Sequence, residues 1–249
     1  MPLIEEMEKH GTVLFRWRSY LPLLLVVISV PAYLEFHRGP DVYDHVWEIL
    51  CLTCGFLGLT IRAMTIGHVP AGTSGRNTKS QIADELNTTG MYSLVRNPLY
   101  LGNYFMWLAP VIFLKTWWLV LVYSLIFLLY YERIIFAEEQ FLRQKFGEKY
   151  MEWASRTPMI VPGLRGWKRP SYPFSFRTVL RREYHGLCAL VTVLYAMEIL
   201  TDLWTEGHQF GLRSLDLSWM IGFGLCAIFY VTVRIISKKT TWLRVDGRP

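Results

Sequence analysis

Six long apolar runs limit what this chain can fold into. They occupy positions 20–36, 46–66, 99–114, 117–131, 186–203 and 217–236. A helix needs about 20 apolar residues to cross a bilayer, or about 17 when it is short. Only 18% of the residues are charged, whereas a soluble domain has about a quarter. We therefore expect an all-α integral membrane protein of about six transmembrane helices, folded as a single membrane domain over residues 1–249.

The third and fourth runs are short and close together. Only two residues separate 99–114 from 117–131. This spacing predicts a tight helical hairpin in which one leg does not fully cross the bilayer. Between Leu142 and Trp153, apolar residues recur at helical spacing, which predicts one further helix after the hairpin.

Lysine and arginine are distributed unevenly between the loops. If the N-terminus is cytoplasmic, only Arg38, Lys115 and Arg213 of the 26 basic residues fall on the outer side. Because cytoplasmic loops carry an excess of basic residues, the sequence predicts a protein of the cell inner membrane with both termini in the cytoplasm. Basic and aromatic residues mix in the segment 164–182, which predicts an anionic membrane surface as a partner and no nucleic acid.

Cysteines and charged residues within the runs give weaker signals. Cys51 and Cys54 form a single CxxC pair without a second ligand pair, so we predict no metal site. Arg62 lies near the end of its run and is interpreted as paired or as reaching toward the interface. Glu198 and Asp202 are one turn apart, and acidic residues inside a span are functional by default.

Two stretches carry a motif. The first is LNTTGMYSLVRNPLYLGN at 86–103, and the second is YERIIFAEEQFLRQKFGEKYMEWASRTPMIVPGL at 131–164. Together they resemble the signature of the integral-membrane methyltransferases, which include the isoprenylcysteine carboxyl methyltransferases and the phospholipid methyltransferases. The resemblance covers residues 84–164. The matching residues are Gly90, Tyr92, Arg96, Pro98, Tyr100, Gly102, Glu138, Glu139, Leu142, Phe146, Gly147, Tyr150, Arg156, Pro158 and Pro162.

The resemblance implies S-adenosylmethionine as the methyl donor, in a pocket at the cytoplasmic ends of the helices. It also implies catalytic roles for Arg133 and Glu138, with Arg133 and Tyr100 contacting the acceptor. Arg96 is suited to a carboxylate, since a guanidinium offers it two parallel hydrogen bonds. By position, the residues implied to bind the cofactor are Glu85, Leu86, Asn87, Tyr92, Arg96, Asn97, Pro98, Leu99, Glu138 and Glu139.

The chain departs from the family pattern in two places. Asn97 stands where the family most often has histidine, and an amide cannot accept a proton by titrating. The chain also continues past the signature as an extra pair of helices over 185–249.

The acceptor is left open between three chemistries. A carboxylate or a phosphate is already ionised at neutral pH, whereas an amine must first lose a proton. Since His68 lies in a glycine-rich loop and His185 starts a helix, neither is predicted near the motifs. We therefore favour an oxyanion on a lipid or lipidated substrate, either a prenylcysteine-type carboxylate or a lipid phosphate. The alternatives are N-methylation of a phospholipid amine, and a non-enzymatic membrane transporter or partner supported by Glu198 and Asp202.

Overall fold

The computed structural model describes residues 2–18, 44–73, 83–163, 165–206 and 217–248, together with positions 20, 24, 27, 28 and 31. Most of the first apolar run therefore lies outside the described residues. The side chains at 44, 201, 202 and 204–206 lie outside them as well, and so does the prediction made for Asp202.

All regular structure in the described part of the chain is helical, which confirms the all-α prediction. A short 3-10 turn, Gly90–Ser93, precedes the hairpin. The seven α-helices of the described part are α1 (Leu3–Trp17), α2 (Asp44–Ile66), α3 (Pro98–Phe113), α4 (Trp117–Phe146), α5 (Glu148–Arg156), α6 (Phe176–Glu206) and α7 (Leu217–Lys239).

Four of these helices, α2, α4, α6 and α7, are long and apolar enough to cross a membrane. Their outward faces carry exposed aliphatic side chains, such as Leu121 and Leu125 on α4 and Leu225 and Ile228 on α7. Large apolar areas of this kind are stable against lipid and not against water. The chain is an integral membrane protein, while the count of six crossings stays a prediction.

The predicted hairpin is present. The helix α3 has 16 residues, and at 1.5 Å per residue it is about 24 Å long, shorter than a hydrocarbon core of about 30 Å. Lys115 turns the chain with a φ of 52°. The fourth helix continues beyond the predicted end at 131 as far as Phe146, so that Glu138 lies on an extension of a spanning helix.

The single helix predicted from Leu142 to Trp153 is wrong. Gly147, with a φ of 53°, ends α4 and begins α5, so the apolar stripe is divided between two helices. A left-handed backbone favours glycine because it has no Cβ.

Glycines allow close packing between helix pairs. On α1, a Cβ at Gly11 would meet Arg133 O and the Ala137 side chain on α4. A Cβ at Gly58 on α2 would meet Gly102 O on α3. These contacts fix α1 against α4 and α2 against α3.

The C-terminal helix pair consists of α6 and α7. It begins at Phe176, ahead of the predicted boundary at 185. The rings of Tyr184 and Tyr230 lie 5.3 Å apart between the two helices. The other face of α6 packs against α2 and α3.

Candidate active site

Backbone and side-chain groups of the first signature stretch donate hydrogen bonds to backbone carbonyls of the second. Arg96 donates to Pro158 O from its backbone N–H and to Ala154 O from Nη1, both at 2.8 Å. Asn97 Nδ2 donates to Met159 O at 3.1 Å. The non-helical backbone around position 97 is thus satisfied by protein, as a membrane environment requires. We call the end of the bundle that carries residues 90–98, 147–163 and 165–175 the signature end.

A cavity of about 670 Å³ extends from the signature end into the bundle. At its polar end it is lined by four arginines and three glutamates. Deeper in the bundle its walls become apolar, with Met106, Trp107 and Pro110 on α3 and Ala189, Leu190 and Val193 on α6. The charged lining residues are Arg18, Arg62, Arg96, Arg182, Glu138, Glu139 and Glu183.

Glu138 lies at the polar end of this cavity, on the extension of α4. The Tyr100 side chain lies close to its carboxylate and interacts with it. The Tyr100 ring lies 4.8 Å from that of Tyr131. The next residue, Glu139, places Oε1 2.9 Å from Arg96 Nε. Two adjacent carboxylates therefore have different partners.

Tyr92 stands between this cavity and a second one. Trp153 Nε1 donates to Tyr92 O at 3.0 Å. Burial raises the pKa of the Tyr92 hydroxyl well above its usual range, and the nearby Glu138 carboxylate raises it further. The hydroxyl is protonated at neutral pH and is available as a hydrogen-bond donor.

The second cavity is smaller, at about 360 Å³. Three residues that the sequence assigned to the cofactor, Glu85, Leu86 and Asn87, line it. They meet the main cavity only through Tyr92, which lines both. The remaining residues assigned to the cofactor line the main cavity, as does Tyr100: Arg96, Asn97, Pro98, Leu99, Glu138 and Glu139.

Arg133 lies outside both cavities. Its Nη1 is 3.2 Å from His10 Nδ1, and its backbone carbonyl faces Gly11 on α1. The structure therefore does not place Arg133, which was predicted to contact the acceptor, in the same cavity as Glu138. The catalytic role given to Arg133 stays a prediction.

The sequence reasoning missed several polar residues of the cavity. Arg62 was interpreted only as a paired or interfacial residue, and His185 was expected to lie away from the motifs. The structure pairs Arg62 with Glu183 and places His185 in the cavity lining. The other missed polar residues are Arg18, Asn103, Arg182 and Glu183. Three of these six residues come from α6, which gives the C-terminal helix pair a part in the site.

Comparison with known proteins places this arrangement in a class. The sequence pattern of the phospholipid methyltransferase family matches residues 49–149. The nickel-cobalt-cadmium resistance protein NccN of Alcaligenes xylosoxydans xylosoxydans is 31% identical over 153 residues, which are 60% of this chain and 68% of that protein. The cobalt-zinc-cadmium resistance protein CzcN of Cupriavidus metallidurans is 34% identical over 143 residues, covering 56% of this chain and 62% of that protein.

A named methyltransferase is also among the relatives. Protein-S-isoprenylcysteine O-methyltransferase B of Arabidopsis thaliana is 28% identical over 144 residues, 56% of this chain and 72% of that protein. No solved structure matches this chain. The matched regions thus span about two thirds of these relatives' lengths. The fold and the cavity define an integral membrane protein with an internal cavity that is polar at one end. The chain belongs to the integral-membrane methyltransferase family, which confirms the resemblance of its signature.

Proposed function

We propose that this protein transfers a methyl group from S-adenosylmethionine to a lipophilic acceptor resident in the membrane. The observation that carries the proposal is a single cavity with two chemically different ends. Its polar end is bounded by both signature stretches, and its apolar end lies between α3 and α6. A donor with charged groups and an acceptor with an apolar chain need these two environments side by side.

The residues of the polar end fit the donor. A volume of about 670 Å³ lies within the range of about 300–1,000 Å³ for small-molecule sites. The carboxylates of Glu138 and Glu139 suit an ammonium or ribose hydroxyls, and Arg96 suits a carboxylate. Bound there, S-adenosylmethionine would supply an electrophilic methyl group.

The chain's own contribution is positioning and exclusion of water. Tyr100 interacts with the Glu138 carboxylate, and Arg96 joins the two stretches that bound the polar end. Holding two reactants in line removes much of the entropic barrier to a displacement. An acceptor that is already an oxyanion, either a carboxylate or a phosphate, requires no further proton transfer.

N-methylation of a phospholipid amine is the second candidate, favoured by one observation. His185 lines the cavity on α6, and a neutral imidazole can accept the proton that an amine must lose. We also propose that the signature end faces the cytoplasm. The protein would contact the anionic surface of the inner membrane and would bind no nucleic acid.

The names of the resistance relatives do not lead us to propose metal binding. Among the described residues, no group of three or more His, Cys, Asp and Glu side chains is placed to hold a metal ion. A modified membrane lipid is the product that we propose.

The test uses membranes that contain the full chain and methyl-labelled S-adenosylmethionine. Lipids are extracted, and half of each sample is treated with mild base. Label released as methanol identifies a carboxyl ester, whereas base-stable label identifies an amine or phosphate acceptor, and mass spectrometry separates these two. Membranes with the Glu138→Ala variant are the control and should give little label. If the wild-type protein neither labels lipid nor binds S-adenosylmethionine, the proposed function is wrong.

A further inference from the structure

Arg62 is the charged group at the junction of three helices. It lies on α2, and its Nε and Nη2 donate to the two carboxylate oxygens of Glu183 on α6, both at 2.7 Å. Its Nη1 donates to Asn103 Oδ1 on α3 at 2.6 Å. The guanidinium is thus held in one orientation by side chains from two other helices.

The packing of α2 against α3 directs this side chain into the cavity. A Cβ at Gly102 would lie 2.5 Å from Arg62 Cγ and 2.8 Å from Gly58 O. Only glycine leaves room for the stem of Arg62 to pass over α3. Gly102 belongs to the signature, so its place in the motif has a physical reason in this chain.

The guanidinium has donors left for a ligand. It has five N–H groups, and three of them donate to Glu183 and Asn103. Among the described residues, the other two have no acceptor, and Arg62 is part of the cavity lining. The fixed fork of an arginine matches the geometry of a carboxylate or a phosphate.

The charge of the lining favours the same ligand. Four arginines face three glutamates around the polar end. The cavity must also hold a methyl donor that is itself cationic, so an anionic acceptor would offset the excess of positive charge. Next to Arg62, the apolar wall of α6 extends from Gly186 to Val193, a rise of about 10 Å at 1.5 Å per residue.

We propose that Arg62, held by Glu183 and Asn103, binds the anionic head group of the methyl acceptor, whose apolar chain lies between α3 and α6. The inference rests on the proposed function. It assigns a substrate-binding role to residues outside the signature and gives the C-terminal helix pair a function, because Glu183 orients Arg62 and α6 forms one wall of the acceptor subsite.

The test compares head groups on one chain. The full-length protein is placed in nanodiscs of neutral lipid, with empty nanodiscs as the background. One probe pair is S-farnesyl-N-acetylcysteine and its carboxamide, and the other is farnesyl phosphate and farnesol. We expect the wild-type protein to bind one anionic probe at least tenfold more tightly than its neutral counterpart. The pair that shows this preference distinguishes a carboxylate from a phosphate acceptor.

Substitutions then locate the preference. Arg62→Lys keeps the charge but loses the fork, and we expect the preference to fall below threefold while the affinity for S-adenosylmethionine changes less than threefold. Arg234→Lys, an exposed arginine on α7, is the matched control and should keep the preference. If Arg62→Lys does not fold, the double substitution Arg62→Gln with Glu183→Gln leaves no unpaired buried charge and should fold without the preference.

Two results would overturn this inference. One is a wild-type protein that does not distinguish anionic from neutral probes, including one that binds neither. The other is a preference that survives both Arg62→Lys and the double substitution Arg62→Gln with Glu183→Gln. Failure of the wild-type protein to bind S-adenosylmethionine would count against the proposed function alone, since the head-group comparison is made without the donor.

Discussion

Glu138 lies next to Tyr100 and lines the polar end of the cavity. For Glu138→Gln we expect the affinity for S-adenosylmethionine to fall about 10- to 100-fold, because a hydrogen bond to a charged group contributes about 1.5–3 kcal/mol. Equilibrium dialysis with labelled donor measures this. Glu132→Gln, at an exposed position of the same helix, should bind normally. Equal affinities in the two variants would contradict the assignment.

Side chains of the signature were predictable as a group, but their individual contacts were not. The motif indicated that Arg96, Asn97 and Glu138 lie at one site, and all three line the cavity. It could not indicate that Asn97, while lining the cavity, donates from Nδ2 to Met159 O. A motif records residue types, whereas a hydrogen bond depends on where the partner backbone runs.

The pairing of Arg62 with Glu183 was beyond the reach of local patterns. The two residues are 121 positions apart, and neither lies in the signature. An arginine at the end of an apolar run indicates only that it must find a partner or reach the interface. The partner follows from packing of α6 against α2, which no periodicity specifies. Breaking such a largely buried pair by removing one partner costs about 3–5 kcal/mol, so its position is under strong physical constraint.

At the scale of elements, the contact between α2 and α3 depends on glycine. For Gly102→Ala we expect a loss of about 1–3 kcal/mol in stability, since the new Cβ would lie 2.8 Å from Gly58 O and 2.5 Å from Arg62 Cγ. Thermal unfolding in detergent measures the change. Gly222→Ala on α7, where a Cβ meets nothing within 4 Å, should leave the midpoint unchanged. A similar unfolding midpoint for both variants would show that close packing of α2 against α3 at Gly102 does not contribute to stability.

The C-terminal segment holds a loop of the cavity. Arg248 donates to Val69 O at 3.0 Å and to Pro173 O at 2.6 Å, and Ala71 N donates to Gly247 O at 2.9 Å. Gly72 and Thr73, the next residues of this loop, line the main cavity.

For Arg248→Ala we therefore expect faster hydrogen exchange at the amide of Ala71 and a several-fold lower affinity for S-adenosylmethionine. Global stability should change by only about 1 kcal/mol, the typical contribution of a hydrogen bond. Arg244→Ala, an exposed residue of the same segment, is the control. Unchanged exchange at Ala71 in Arg248→Ala would mean that the segment does not hold the loop.

At the scale of the whole molecule, the six apolar runs correctly predicted the all-α class. The short gap between the third and fourth runs correctly predicted the hairpin. The ends of helices were less predictable, as the uninterrupted extension of α4 to Phe146 illustrates. A membrane-spanning helix is predicted from its apolar residues. Where the helix continues into a charged segment, the sequence therefore does not indicate the continuation. That continuation places Glu138 at the cavity, where a spanning helix positions it more rigidly than a loop would.

The orientation of the molecule is predicted from the distribution of basic residues and can be measured. Ser155 lies at the signature end. Arg244 lies on the C-terminal segment, which contacts the signature end through Arg248 and Pro173. Both Ser155 and Arg244 are exposed. Trp117, at the turn of the hairpin, is 74% exposed at the opposite end of α4. Because basic loops are retained in the cytoplasm, we expect a membrane-impermeant maleimide to label Trp117→Cys in intact bacterial cells. Ser155→Cys and Arg244→Cys should react only after permeabilisation.

The native cysteines set the background for this experiment. All four lie within helices and are buried or half-buried, so the wild-type chain should react weakly in both conditions. Labelling of Ser155→Cys in intact cells would place the signature end outside. A methyl donor made in the cytoplasm would then have no access to the polar end of the cavity, and the proposed reaction would lose its donor. Orientation is therefore a test of function as well as of topology.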